Sequence, residues 1–145
     1  MFFEDIEVGA MVRVGTYRMD ADEMVNYARK WDPLPVHTDD AAARQTMFGG
    51  LTASGSHTTA VRVLLMHRVP IQEGLIGAAG WDEVRFHQPV RPGDELSLEV
   101  TWADKRQSAS KPDRGIVTAL MKLVNQRNEV VLTQRTTIFM RLRNP

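Results

Sequence analysis

The chain is 145 residues long, with 18 lysines and arginines balanced by 18 aspartates and glutamates, and it has no cysteine. This length suits a single domain over 1–145, and 43% hydrophobic residues are enough for one buried core, which excludes a disordered chain. The neutral balance points away from nucleic acid or an anionic membrane as partner, and the absent cysteines rule out disulfides, thiolate metal sites and cysteine nucleophiles.

Glu4, Asp5 and Glu7 stand where an export signal would carry basic residues before an apolar run, so a cytoplasmic location is expected. Met11 to Arg18 reads as a first strand. Asp20 followed three residues later by Glu23 is the pairing of an N-cap with a reciprocal carboxylate, and a helix starts there. Met24, Val25, Ala28 and Trp31 give that helix an apolar stripe, while Asp22, Asn26 and Arg29 face water. Pro33 ends it and pushes Asp32 out of helical conformation. Pro35 is expected to prolong the irregular stretch through His37, before an Ala-rich turn at Asp40 to Arg44.

The least charged stretch, Gln45 to Ser56, is far shorter than the ~20 apolar residues of a membrane-spanning helix and contains Gly49, Gly50 and Gly55. Ser56 to Arg68 reads as a second, longer helix with an apolar face of Ala60, Val61, Leu64, Leu65 and Val69. Its β-branched residues lower its intrinsic propensity, so burial against a sheet must hold it. Beyond the Pro92-Gly93-Asp94 turn, Leu96, Leu98, Val100 and Trp102 alternate with polar residues at the period of a strand. Leu75 to Val90, Gly115 to Asn125 and Val130 to Arg141 supply three more strands, with a reverse turn at Gln126 to Glu129. The order predicts an α+β architecture in which one long helix covers an antiparallel sheet. Charge is unevenly spread: residues 105–145 carry 9 basic and 2 acidic groups. That basic third suits a phosphate-bearing ligand, a partner surface or plain solvation.

Two segments carry residue types suited to chemistry. In Trp31-Asp32-Pro33-Leu34-Pro35-Val36-His37 a carboxylate and an imidazole are separated by two prolines that restrict the loop. Fully extended, five steps reach ~16 Å, so the loop must fold back before both groups touch one water. Residue types alone leave open the plainer alternative, in which Asp32 caps a turn and His37 is a satisfied histidine. Ser54-Gly55 opens the second helix, where the first N–H groups lack intrahelical acceptors and the helix dipole favours negative charge. A glycine there lets a carbonyl approach the backbone, although an N-cap and tight turn explain the pair equally well.

Taken together, YARKWDPLPVHTDDAAARQTMFGGLTASGSHTTA resembles the hydratase signature of MaoC-like dehydratases and R-specific enoyl-CoA hydratases, an Asp, a proline-containing turn and a His. Val84 to Asp94 is similar to the strand of that family that ends in a Pro-Val-x-Pro-Gly-Asp turn. The resemblance implies a single hot-dog domain, a long central helix wrapped by an antiparallel β-sheet, and a homodimer or higher homo-oligomer. It implies catalytic roles for Asp32 and His37, and thioester-oxygen binding by Gly55 with Ser54 beside it. Where the family has Gly and Asn, this chain has Trp31 and Leu34, which become candidate pocket-lining residues.

His57 is either a third pocket residue or, the plainer reading, a helix-start histidine with its ring in water. His67 suits the helix dipole at the far end, and His87 lies in a strand. No metal-ligand spacing connects these groups, so no metal and no cofactor beyond a coenzyme A thioester substrate are expected. Trp81, Trp102 and Phe86 read as sheet core or subunit contacts. Arg85 points opposite to Val84 and Phe86, toward a phosphate, a partner carboxylate or solvent.

The reaction so implied is the reversible hydration of a trans-2-enoyl thioester. Two alternatives remain. A hot-dog acyl-CoA thioesterase commonly needs a carboxylate near the central helix, and Leu51 to Gln72 has none. A non-catalytic acyl-binding or partner subunit would follow if Trp31 and Leu34 filled the pocket.

Overall fold

The period of two seen from Leu96 to Trp102 is what builds the sheet. The computed structural model describes residues 1–145 as β1 (Met11–Arg18), α1 (Ala21–Trp31), α2 (Pro35–Thr38), α3 (Asp40–Arg44), α4 (Gly55–Met66), β2 (Leu75–Phe86), β3 (Glu95–Gln107), β4 (Arg114–Val124) and β5 (Val130–Arg141). The five strands form one antiparallel sheet in the order β1-β3-β4-β5-β2. In β3, Leu96, Leu98, Val100 and Trp102 are all buried, and the opposite residues are not, so one face of the central strands is apolar. Ala119 and Met121 of β4 and Leu132 and Ile138 of β5 continue that face, and Val61, Leu65 and Met66 of α4 pack on it in the same hydrophobic cluster. This is the hot-dog arrangement, a helix wrapped by an antiparallel sheet.

The long helix turns a different face inward from the one its hydropathy suggests. Val61, Leu65 and Val69 are buried as expected, but Ala60 and Leu64 are exposed, and His57, Thr58 and Arg62 are buried in their place. The curled sheet and α1 enclose the helix on a side that carries polar residues, so the apolar count alone misplaces its orientation. Trp31 departs in the same way: it ends α1 and is 65% exposed, beyond the part of the stripe that Met24 and Ala28 bury.

Local signals placed most boundaries. The Asp20 side chain accepts from the Glu23 amide at 2.9 Å and starts α1, and Asn128 adopts a positive φ of 60° in the reverse turn between β4 and β5. Pro35 sits at the first position of α2. Proline fits there because its missing N–H would have had no partner, and the stretch expected to be irregular through His37 is therefore a helical turn. Gly115 in β4 leaves room for the Phe3 ring, which a Cβ would meet at 2.2 Å. No helix is long and apolar enough to cross a membrane.

Leu98 is fully buried between the sheet and α4. Leu98→Ala is expected to lower unfolding free energy by ~2–5 kcal/mol, read as a lower urea midpoint at unchanged slope.

Candidate functional site

Asp32 and His37 are brought together by two short devices. The Asp32 amide donates to the Ala28 carbonyl at 2.8 Å, which closes α1, and its backbone then leaves the helix at φ −158° and ψ 73°. Leu34 donates back to the Asp32 carbonyl at 2.8 Å, and the His37 amide to the Leu34 carbonyl at 2.9 Å. The chain thus reverses within five residues, and His37 Nε2 lies 3.5 Å from Asp32 Oδ2.

The His37 ring is held from its other side. Nδ1 is 2.8 Å from the Thr52 carbonyl oxygen and 3.2 Å from the Thr52 hydroxyl. A carbonyl only accepts, so Nδ1 carries the hydrogen, and in the neutral ring Nε2 presents a lone pair toward Asp32. Thr52 is itself fixed, donating its amide to Val36 at 3.1 Å, while Ala53 donates to Val90 at 2.9 Å. The preceding loop is clamped by two charged side chains. Asp40 accepts the Leu51 amide at 3.0 Å, and Arg91 donates to the carbonyls of Gly50, at 3.0 Å, and Phe48. The Arg44 guanidinium, followed by the Leu51 amide, holds the Asp40 carboxyl below its usual range.

Asp32 is oriented by a chain of hydroxyls. Ser54 Oγ donates to Asp32 Oδ2 at 2.7 Å, Ser54 and Ser56 Oγ are 2.8 Å apart, and the Tyr27 hydroxyl donates to Ser56 at 3.1 Å. Each hydroxyl has one hydrogen, so with Ser54 committed to the carboxylate, Ser56 must donate to Ser54. All three donors point toward Asp32. Ser54, expected beside a thioester oxygen, thus gives its hydrogen to Asp32 and accepts the Ser56 amide at 3.3 Å as N-cap of α4.

His37, Thr52, Gly55, Thr58 and Phe86 line one cavity of about 530 Å³. Gly55 is at the first position of α4, where its N–H has no intrahelical acceptor. A Cβ there would lie 2.8 Å from the Phe86 ring, so the ring closes directly over the backbone. The cavity offers an imidazole and a helix N-terminus, and the Asp32 carboxylate stands 3.5 Å behind the imidazole, the parts needed to move a proton beside a developing oxyanion.

Four other candidates lie elsewhere. Trp31 and Leu34 are exposed and do not line this cavity. His57, expected with its ring in water or in the pocket, is only 5% exposed; it stacks on Tyr27 and bonds Glu23 through Nε2 at 3.2 Å. Glu23 also accepts from Tyr17 at 2.5 Å, which pushes the Tyr17 hydroxyl up to about 12. Arg85 is exposed and donates to the adjacent Val84 carbonyl at 3.3 Å. Of the other two histidines, His67 is exposed beyond α4 and His87 bonds Thr133 at 2.7 Å at the rim of the cavity.

Sequence reading did not single out Tyr27, Thr52, Ser56, Asp40 or Arg91. Tyr27 and Ser56 are joined only by folding, 29 positions apart, and Thr52 acts through its carbonyl, which its side chain does not advertise.

A model of the MaoC-like domain matches residues 7–125, and the chain belongs to that family. The crystal structure of a MaoC-like dehydratase from Rhodospirillum rubrum is 39% identical, covering 100% of this chain and 99% of that one, with a TM-score of 0.93. The uncharacterized protein YdeM of Bacillus subtilis is 26% identical over 97% of this chain and 99% of its own. A mesaconyl-CoA hydratase of Haloarcula marismortui is 51% identical over 39 residues, which are 27% of this chain and 11% of that protein.

Burial holds the His57 pKa below its ordinary 6.5, against the opposing pull of Glu23. The folded protein refuses a proton that the unfolded chain accepts, so stability is complete above 6.5 and falls as pH drops through the lowered folded value. His57→Gln is expected to flatten the fall in urea midpoint as the pH drops below about 6.5.

Proposed function

We propose that this protein catalyses the reversible hydration of a trans-2-enoyl thioester to a 3-hydroxyacyl thioester, with Asp32 and His37 as catalytic residues. The observation that carries the reading is the 3.5 Å approach of Asp32 Oδ2 to Nε2 of His37, whose ring lines one cavity with Gly55. Membership of the MaoC-like family and the local likeness to a mesaconyl-CoA hydratase support it.

The thioester carbonyl accepts the Gly55 N–H at the positive end of α4. Enolate charge that develops there as water adds is stabilised, and one preorganised donor is worth ~3 kcal/mol. Nε2 of neutral His37 and the Asp32 carboxylate are both acceptors, so a single water donates to each and directs an oxygen lone pair at the β carbon. As the C–O bond forms, the pair takes one proton from that water. It returns one proton to the α carbon from the same side, which leaves the enzyme unchanged and makes the addition syn. Ser54, Ser56 and Tyr27 are positioning residues for the carboxylate, as Thr52 is for the imidazole.

The substrate is an acyl-CoA-type thioester, and we place the working unit as at least a homodimer. Support comes from the exposed Trp31, Leu34 and Met47 beside the site and from β1 and β2, whose outer edges are unpaired. Sedimentation of a strictly monomeric protein at micromolar concentration would overturn the dimer.

Loss of the conjugated enoyl absorbance of crotonyl-CoA and mesaconyl-CoA tests the reaction. Asp32→Asn and His37→Ala are each expected to lower kcat/KM by ~10²–10⁴-fold. Wild-type rates in both variants, or release of free thiol in place of hydration, would overturn the reading. Ser54→Ala removes one charge-assisted hydrogen bond and is expected to lower kcat roughly tenfold with KM little changed.

A further inference from the structure

Arg62 is the one buried cation that neither the site nor the fold explains. It is 3% exposed, yet none of the chain's ion pairs includes it. Its only hydrogen-bond contact is Nη1 to the Met121 sulfur at 3.7 Å, and Nε and Nη2 are buried without partners. The guanidinium lies 4.6 Å over the Trp81 ring, which orients it without neutralising it. Burial lowers its pKa to about 10, so it remains charged at neutral pH. Leaving such a group unpaired is costly, and the group best able to pair with it is a carboxylate.

The guanidinium also lies at the far end of a row of three adjacent cavities that begins at the candidate site. Gly55, Thr59, Arg62 and Val63 follow one another at helical spacing along one face of α4. Beyond the cavity that His37 and Gly55 line, and sharing Phe86 with it, is a second cavity of about 530 Å³ walled by Thr59, Val63, Trp81 and Val84. It shares Val63 and Trp81 with a third, of about 110 Å³, that contains Arg62, Met121 and Thr136. The middle section is apolar and the far end is cationic. Gly55 and Arg62 are seven residues apart, or ~10 Å along the helix axis. With C–C bonds of ~1.5 Å in a zigzag, that span corresponds to an acyl chain of roughly eight carbons.

We propose that the groove between α4 and β2 holds the acyl chain of a thioester whose far end is a carboxylate, and that Arg62 receives that carboxylate. The substrate class is then an ω-carboxyacyl thioester of medium length. This rests on the proposed reaction for the identity of the thioester end, while the acid-binding end stands on Arg62 and its cavity.

Saturated acyl-CoAs are not hydrated and so report binding alone. Calorimetric titration of the wild-type protein is expected to give suberoyl-CoA at least ~10-fold tighter binding than octanoyl-CoA, the return for pairing one buried charge. In Arg62→Met that preference should vanish. Equal affinities in the wild type, as a second copy's carboxylate filling the cavity would give, overturn the proposal, and so does a preference that survives in Arg62→Met. The wild-type comparison decides the matter even if the variant does not fold. Crotonyl-CoA turnover by the wild type reports on the reaction separately: turnover without the suberoyl preference removes the acid-binding end alone, and the preference without turnover removes the reaction alone.

Discussion

The hydrogen bond between His37 Nδ1 and the Thr52 carbonyl is the contact on which the site depends. It fixes the tautomer, and so decides that Nε2, facing Asp32, is the nitrogen with a free lone pair. Together with the Thr52 amide bond to the Val36 carbonyl, it ties the turn Pro35–Thr38 to the extended run into α4. The restraint continues outward: Thr52 is pinned by Val36, Ala53 by Val90, and the loop before them by Asp40 and Arg91. Val90 lies four residues past β2, so the bonds that hold the imidazole lead back to the segment that joins β2 to β3.

Legibility in the sequence followed the range of the forces involved. The Asp20 cap, the break at Pro33 and the alternation from Leu96 to Trp102 depend on neighbours a few residues away, and all three read correctly. The face of α4 did not, because Ala60 and Leu64 are more apolar than Thr58 and Arg62, and only the surrounding sheet and α1 determine which side is enclosed. His57 was misplaced for the same reason: its partners Tyr27 and Glu23 are 30 and 34 residues away. The proximity of Asp32 to His37 was anticipated from a motif, whereas the bonds that orient each of them come from Thr52 and Ser54 across the fold.

The buried face of α4 mixes two kinds of stabilisation. Val61 and Leu65 remove apolar area from water, and His57 and Thr58 are hydrogen-bonded. Arg62 buries a charge whose Nε and Nη2 have no partner, and a leucine or methionine of similar volume would serve the fold better. A group retained against the interest of folding belongs among the features that bear on what the protein binds.

The row of hydroxyls from Tyr27 through Ser56 and Ser54 to Asp32 has a consequence beyond holding a carboxylate in place. Its polarity is set by the negative charge at one end. If Asp32 took up a proton, its new O–H could donate to Ser54, and the whole row would be free to reverse in concert. The Tyr27 ring, stacked at 4.4 Å on His57, stands at the opposite end of that row. The protein thus contains a one-dimensional relay of orientation, in which the charge state of Asp32 is registered at a stacked pair formed by the half-buried Tyr27 and the buried His57.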